Sequence, residues 1–413
     1  MNNLKTIAII GSGISGLTAA HLLHKKYDIH VFEKNNRIGG HTNTITVEED
    51  HQSIAIDTGF IVYNDHTYPN FIRLLKAIGV KGQQSNMSFS YSSHTGSLEY
   101  SGDTVNTLFA QRKNVFKPSF YALLNQILTF NRCARRFLHN TNNLTLNEFL
   151  DHHKISRACR DHYIYPLASA IWSTPMINVG DMPARFIILF YHHHGLLSVK
   201  DRPQWRVIQR GSKSYVDALT QPFYNKIQTN TPVKQIIRHQ DAVEVVTENE
   251  SRSFDAVIMA CHSDEALALL ADPSPAESNI LEKIKYCTNQ AILHTDHTQL
   301  PREKRAWASW NYRQSGLNQA TLTYYMNKLQ SLDSETPYCV TLNNPNIPAS
   351  HIIKTIDYAH PLYDQESVNA RKGHAEINHI NRTFYVGAYW GNGFHEDGVQ
   401  SSLKALAQLG VQL

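Results

Sequence analysis

Between Ile7 and Glu33 the chain spells out a strand, a glycine turn, a helix and a second strand ending on an acid, an order that few folds accept. Ile7-Ala8-Ile9-Ile10 leads into Gly11-Ser12-Gly13-Ile14-Ser15-Gly16. An apolar run continues to Leu23, and Ile29-His30-Val31-Phe32 closes on Glu33. Gly11 permits the tight turn, Gly13 lets a pyrophosphate approach the backbone, and Gly16 allows helix and sheet to pack closely. N–H groups of the first helical turn, at Ile14 and Ser15, have no intrahelical partner and lie at the positive end of the helix dipole, a ready site for phosphates. Glu33 stands 20 residues beyond Gly13, where a carboxylate accepts bonds from both ribose hydroxyls. The unit predicts dinucleotide binding on an α/β, Rossmann-type domain.

The next residues choose the dinucleotide. Glu33-Lys34-Asn35-Asn36-Arg37-Ile38-Gly39-Gly40-His41-Thr42 runs past the ribose acid into a second glycine turn carrying a cation. A nicotinamide dehydrogenase does not need this extension, whereas an FAD protein uses it to fold back along the ribityl chain. Here the sequence resembles the FAD-dependent amine oxidase superfamily, which includes protoporphyrinogen oxidases and carotenoid desaturases. The resemblance continues at Asp57-Thr58-Gly59-Phe60, where the family brings backbone under the flavin, and at Arg210-Gly211-Ser212, a glycine turn before a returning helix. It implies the glutathione reductase/amine oxidase type of FAD domain with an interleaved α+β substrate domain. It also implies that Val233 lies at the adenine.

The far end supplies a third cofactor segment. Thr383 to Gly387 reads as a strand closing on glycine, Gly391 to Gly398 as a loop, and Val399 to Leu409 as a helix. A helix starting near Gly398, preceded by Glu396 and Asp397, would direct its dipole at the flavin N1–C2=O2 edge, which gains negative charge on reduction. No cysteine lies in this loop, so FAD is expected to be non-covalent. Many relatives carry arginine after the second glycine pair, where this chain has His41.

A narrower resemblance covers nearly the whole chain. Asp57 to Asp65, Arg202 to Arg206, Trp307 to Tyr312 and Gly393 to Gly398 are similar to a bacterial group of predicted NAD/FAD-binding proteins, associated with cyclopropane-fatty-acyl-phospholipid synthase-like methyltransferases. This resemblance implies a lipid or fatty-acyl substrate and a cyclopropane-fatty-acid-synthase-like methyltransferase as partner.

With 413 residues there is chain enough for two cores. The FAD domain is expected to be discontinuous, from 1–80, 205–262 and 380–413, with the substrate domain from 81–204 and 263–379. Val233 to Ile237, Val243 to Thr247 and Phe254 to Ala260 read as three strands, and Asp255 to Ala260 resembles the last strand of the family's FAD sheet. Thr145-Leu146-Asn147-Glu148 is a capping box. Ser119 to His139 has near-helical apolar spacing and ends in Arg132, Arg135 and Arg136, which fits a core helix or one touching anionic membrane. The net charge of +4 is mild and the basic residues are scattered, which argues against a nucleic-acid partner. The start at Leu4 offers no signal peptide, no run is long enough to span a bilayer, and five widely spaced cysteines suit a reducing compartment, so a cytoplasmic location is expected.

The chemistry expected is hydride transfer from substrate to flavin N5, with the protein supplying position and a dry pocket. Phe394 falls near the aromatic that amine-oxidising relatives place facing the flavin. His395 is the nearest ionisable side chain, and it reads either as a proton carrier or as a structural loop histidine. His194, Trp310, Tyr312, Tyr324, Tyr389 and Trp390 are expected to line the substrate pocket. The 23 histidines include His192-His193-His194, but consecutive residues point different ways and lack ligand spacing, so no metal is expected. His360 has no recognisable ligand partner. Three functions stay open: an FAD oxidoreductase acting on a lipid, an oxidase of a soluble amine, and a non-catalytic FAD-binding partner of a lipid methyltransferase.

Overall fold

The computed structural model describes residues 4–139, 142–172, 176–198, 202–314 and 320–413. At its centre is a parallel sheet in the order Ile227–Gln228, Asp28–Phe32, Thr6–Ile10, Ala256–Met259, Thr383–Tyr385. Strands covered on both faces read as continuous apolar runs, and Ile7 to Ile10 is buried throughout. Helix Ile14–Leu23 leaves the tip of the first strand with nine of its ten residues buried, because sheet on one side and the C-terminal helix His395–Leu406 on the other enclose it. Three stretches far apart in sequence thus build one sheet.

Two expectations are corrected. The run read as one strand from Phe254 to Ala260 divides at Asp255. Ser251–Phe254 completes an antiparallel meander with Val233–Arg238 and Val243–Thr247, while Ala256–Met259 joins the parallel sheet. Asp255 makes the change of sheet by accepting bonds from the backbone N–H groups of Lys5 (2.7 Å) and Thr6 (2.8 Å) and from the Thr6 hydroxyl (3.1 Å). Nor is Ala256–Met259 the last strand, since Thr383–Tyr385 pairs outside it in parallel.

A second, seven-stranded mixed sheet runs in the order Ile352–Pro361, Tyr286–His294, Cys339–Leu342, Ala320–Tyr325, Trp310–Gln314, Phe89–Ser92, Glu99–Ser101. Helices Pro118–Phe137, Leu146–His152 and Ala184–His193 pack into the same apolar core. The Thr145–Glu148 capping box forms as read: the Thr145 hydroxyl accepts from Glu148 N (3.2 Å), and the Glu148 carboxylate accepts from Thr145 N (2.8 Å). A small sheet of Val62–Asn64, Trp205–Ile208 and Gly82–Gln84 crosses the boundary drawn at residue 80. No helix among the described residues is long and apolar enough to cross a membrane.

Candidate functional site

One cavity of about 980 Å³ reaches from the tip of the parallel sheet to the seven-stranded sheet. At the sheet tip Gly11 adopts a φ of +104°, and its N–H donates to Phe32 O (2.8 Å). A Cβ on Gly16 would sit 2.0 Å from Gly11 O, whereas one on Gly13 would meet nothing within 4 Å. Gly13 therefore faces open space. Glu33 Oε2 accepts from Ser12 N (3.0 Å) and Ser12 Oγ (2.6 Å), and Oε1 accepts from Asn35 N and Nδ2 (both 2.9 Å). This web holds the carboxylate at the cavity wall beside Ile14, Ser15 and Val233.

The second glycine turn closes on the first. Gly39 N donates to Ser12 O (2.9 Å), and a Cβ on Gly40 would lie 2.9 Å from Gly13 Cα. Arg37 braces this turn by donating to Gly40 O (2.7 Å) and Thr42 O (3.3 Å). Lys34 lines the same wall, where it forms an ion pair with Glu265 at 2.5 Å. Of Asp57-Thr58-Gly59-Phe60, only Gly59 and Phe60 reach the wall. Asp57 anchors the turn before helix Lys213–Thr220, accepting from Ser212 N (2.8 Å), Ser212 Oγ (2.7 Å) and Thr44 Oγ1 (2.6 Å). Burial pushes its carboxyl up to about 6 despite these bonds. The Thr58 hydroxyl donates to Asn43 O (2.8 Å).

The C-terminal helix begins at His395, three residues before the expected Gly398. The Asp397 carboxylate accepts from Phe394 N (3.0 Å), and burial lifts its pKa to about 6. Glu396 faces away and caps helix Pro69–Ala77, accepting from Phe71 N (2.9 Å) and from Asn70 N and Nδ2. Gly398 lies inside the helix, where a Cβ would strike Ile14 Cγ2 at 2.7 Å, and Val399 is fully buried. His395 stacks on Phe60 with ring centroids 3.5 Å apart, and its Nε2 lies 3.0 Å from both Thr42 Oγ1 and Tyr215 OH. Burial lowers its pKa to about 3, so the ring is neutral near pH 7.

Phe394 lines the cavity stacked against Phe190 (5.0 Å), and Gly387 and Tyr389 lie on the same wall. Trp310 and Tyr324, opposite each other on adjacent strands, meet edge to face at 5.0 Å. His194 stacks on Phe190 at 3.7 Å, and burial holds it at about 4. Tyr312 is packed behind the wall with its hydroxyl on Met176 Sδ (3.3 Å), and Trp390 leans on His374 (4.3 Å); neither lines the cavity.

Sequence reading placed His41 at the cofactor but missed the group gathered around it on the wall. His41 stacks on Tyr358 (5.0 Å) and meets His360 at 5.2 Å and His262 at 6.3 Å, while His262 stacks on Tyr286 at 4.4 Å. Burial and mutual repulsion keep His41 well below its ordinary pKa. No local spacing joins positions 41, 262, 286, 358 and 360; the one signal was strand alternation, which puts Tyr358 and His360 on one face. Among the described residues no group of three or more histidines, cysteines or acids could hold a metal ion.

Residues 14–338 match the model of the flavin-containing amine oxidoreductases. The chain belongs to this family. No curated protein sequence matches it. The cyclohexylamine oxidase of Brevibacterium oxydans IH-35A superposes with a TM-score of 0.70 over 98% of this chain and 99% of its own, at 14% identity. A CLA-producing fatty acid isomerase from P. acnes gives 0.68 over 99% of each chain, also at 14% identity. A putrescine oxidase bound to putrescine gives 0.69 over 98% of each, at 13% identity. These likenesses establish the fold.

As a flavin-containing amine oxidoreductase, the protein is an FAD-dependent enzyme, and the cavity fits that cofactor. The space before Gly13 is a cradle that any Cβ would fill, with the first helix's N-terminus and the Glu33 carboxylate on its wall. Cys261 is the one cysteine lining the cavity among the described residues. Burial raises its thiol pKa, which leaves it protonated and a poor nucleophile for covalent attachment.

Proposed function

We propose that this oxidoreductase acts on a lipid or fatty-acyl chain. The observation that supports this reading is the character of the cavity beyond the cofactor cradle. Phe89, Leu167, Ile171, Trp172, Leu196 and Ile356 line it, and the carboxylates on the wall are Glu33 and Glu265 at the cradle and Asp357 on an exposed strand. An apolar chain is desolvated there without loss, whereas an ammonium group would find Asp357, an exposed side chain, as the one carboxylate on the described wall outside the cradle. The fold itself does not choose, since it also carries a cyclohexylamine oxidase and a fatty acid isomerase.

When bound, FAD supplies a two-electron acceptor. The chain's own residues do the rest. Ser12, Gly13 and Glu33 hold the nucleotide, and the aromatic wall of Phe394, Phe190, Trp310 and Tyr324 excludes water and orients the substrate. His395, neutral and held by Thr42 and Tyr215, positions Phe60 and the helix start. The partner implied by this reading is a cyclopropane-fatty-acid-synthase-like methyltransferase.

The test is an absorption spectrum of the FAD-loaded protein under anaerobic conditions, with membrane-lipid extract or a panel of primary amines and polyamines. Bleaching of the flavin bands by lipid and not by amines is expected. Bleaching by amines alone would replace this reading with amine oxidation, and bleaching by neither would favour a non-catalytic role.

A further inference from the structure

The segment that follows helix Ala184–His193 has two faces. His194 and Leu196 line the large cavity, while His192, His193, Gly195, Leu197 and Ser198 line a separate cleft of about 440 Å³ on the other side. His66, Arg135, Arg202 and Pro203 complete this cleft. Its described wall therefore holds two guanidinium groups and three imidazoles, and no carboxylate.

The donors are held in place, and no described carboxylate neutralises them. Arg135 donates one N–H to Leu197 O, and Arg202 Nε donates to Ser198 O at 3.0 Å. A guanidinium has five N–H donors, so most of each fork is left for a ligand. Neither arginine forms an ion pair with a described carboxylate; the nearby Asp65 is taken by Arg206 at 3.6 Å. His66 Nδ1 lies 3.2 Å from His193 O, which fixes its ring. His193 is held below its ordinary pKa by burial and by repulsion from His192 and His66. Paired guanidinium forks are the usual protein partner of phosphate oxygens.

A second observation favours a lipid as the source of that phosphate. Arg135 shares one face of helix Pro118–Phe137 with Tyr121 and Leu128, spaced at i, i+7 and i+14. Tyr121 and Leu128 are about half exposed, at 48% and 50%, and Phe116 just before the helix is 87% exposed. Arg132 and Arg136 flank Arg135 and are exposed. An apolar strip that ends in cations suits a surface meeting acyl chains and anionic headgroups together.

We propose that the cleft walled by His66, Arg135, His192, His193 and Arg202 binds the phosphate group of an anionic lipid substrate, on the outer side of the same loop whose inner side lines the apolar cavity. The inference rests on the lipid reading for the source of the phosphate, and on the cleft alone for the anion.

The test uses the full-length, FAD-loaded protein and an Arg135→Gln/Arg202→Gln double variant, both checked for equal flavin content. Calorimetric titration is made with three probes: lysophosphatidylglycerol below its micelle concentration, the monoacylglycerol of the same chain, and inorganic phosphate. The expected result is that the variant loses about tenfold or more in affinity for the charged amphiphile, as loss of one charge-assisted bond implies, and binds the uncharged one unchanged. Equal affinity of both proteins for lysophosphatidylglycerol overturns the proposal. If neither amphiphile binds but phosphate does, and does so only to the unmodified protein, the anion site stands and the lipid reading falls. If no probe binds, the site itself is refuted.

Discussion

At Gly13 an added Cβ would meet no heavy atom within 4 Å, whereas three residues on, at Gly16, it would lie 2.0 Å from the carbonyl oxygen of Gly11. The two glycines are therefore needed for different reasons. Gly16 is needed by the protein, because helix and turn share that space, while Gly13 is needed by the ligand, because the protein leaves its space empty. Gly13→Val should purify as a folded, colourless protein that melts near the FAD-free unmodified protein, while Gly16→Ala should cost about 1–3 kcal/mol through overpacking. Melting curves beside flavin absorbance check both, and a yellow, fully loaded Gly13→Val protein would show that the cradle lies elsewhere. The roles of these residues were legible in the sequence because the strand-turn-helix unit is local. The role of Glu33 was half legible: its position followed from spacing, but its bonds to Ser12 and Asn35 did not.

Helix Pro69–Ala77 has no capping side chain of its own at Tyr68 and takes its acceptor from Glu396, on the C-terminal helix. That carboxylate accepts from Asn70 N, Phe71 N and the Asn70 amide, and so ties two helices that lie over 300 residues apart. Glu396→Ala should destabilise the protein by about 1–2 kcal/mol, the cost of a lost cap, with Glu396→Gln recovering part of it. Urea unfolding of the three proteins measures this, and an unchanged midpoint in Glu396→Ala would show that water replaces the cap. The sequence placed Glu396 and Asp397 at the flavin because Gly398 reads as a loop residue. In the fold Gly398 is helical, and its missing side chain makes room for Ile14 and Ser15. Local pattern found the element but misplaced its start, since the cause of the glycine lies on another helix. The same limit explains Phe254 to Ala260, whose apolar tone hid a change of sheet made where the Asp255 carboxylate accepts bonds from the backbone of Lys5 and Thr6.

Over the whole molecule, burial of histidine sets the response to acid. His21, His194, His294, His360 and His395 are held at about 3 to 4 in the folded protein, in each case mainly by burial. In the unfolded chain each returns to about 6.5. Between those values the unfolded chain binds protons that the folded one refuses, so stability falls as pH drops through 6.5. Asp57 and Asp397 act the other way. Their folded values near 6 exceed the unfolded value of 3.8, so below pH 6 the native state holds protons that the unfolded state has released. At pH 5 five histidines oppose two aspartates, and these seven groups together should take up about three protons on unfolding. His41 and His262 shift in the same direction as the five and add to the uptake. The FAD-loaded protein should therefore show a urea midpoint that declines from pH 7 to pH 5, with the steepest loss below 6.5. A midpoint that is flat or rises toward acid would mean that these imidazoles are already charged in the folded state, through water or ligand reaching the cavity wall, and that the neutral His395 bonded to Thr42 and Tyr215 is not the state in solution.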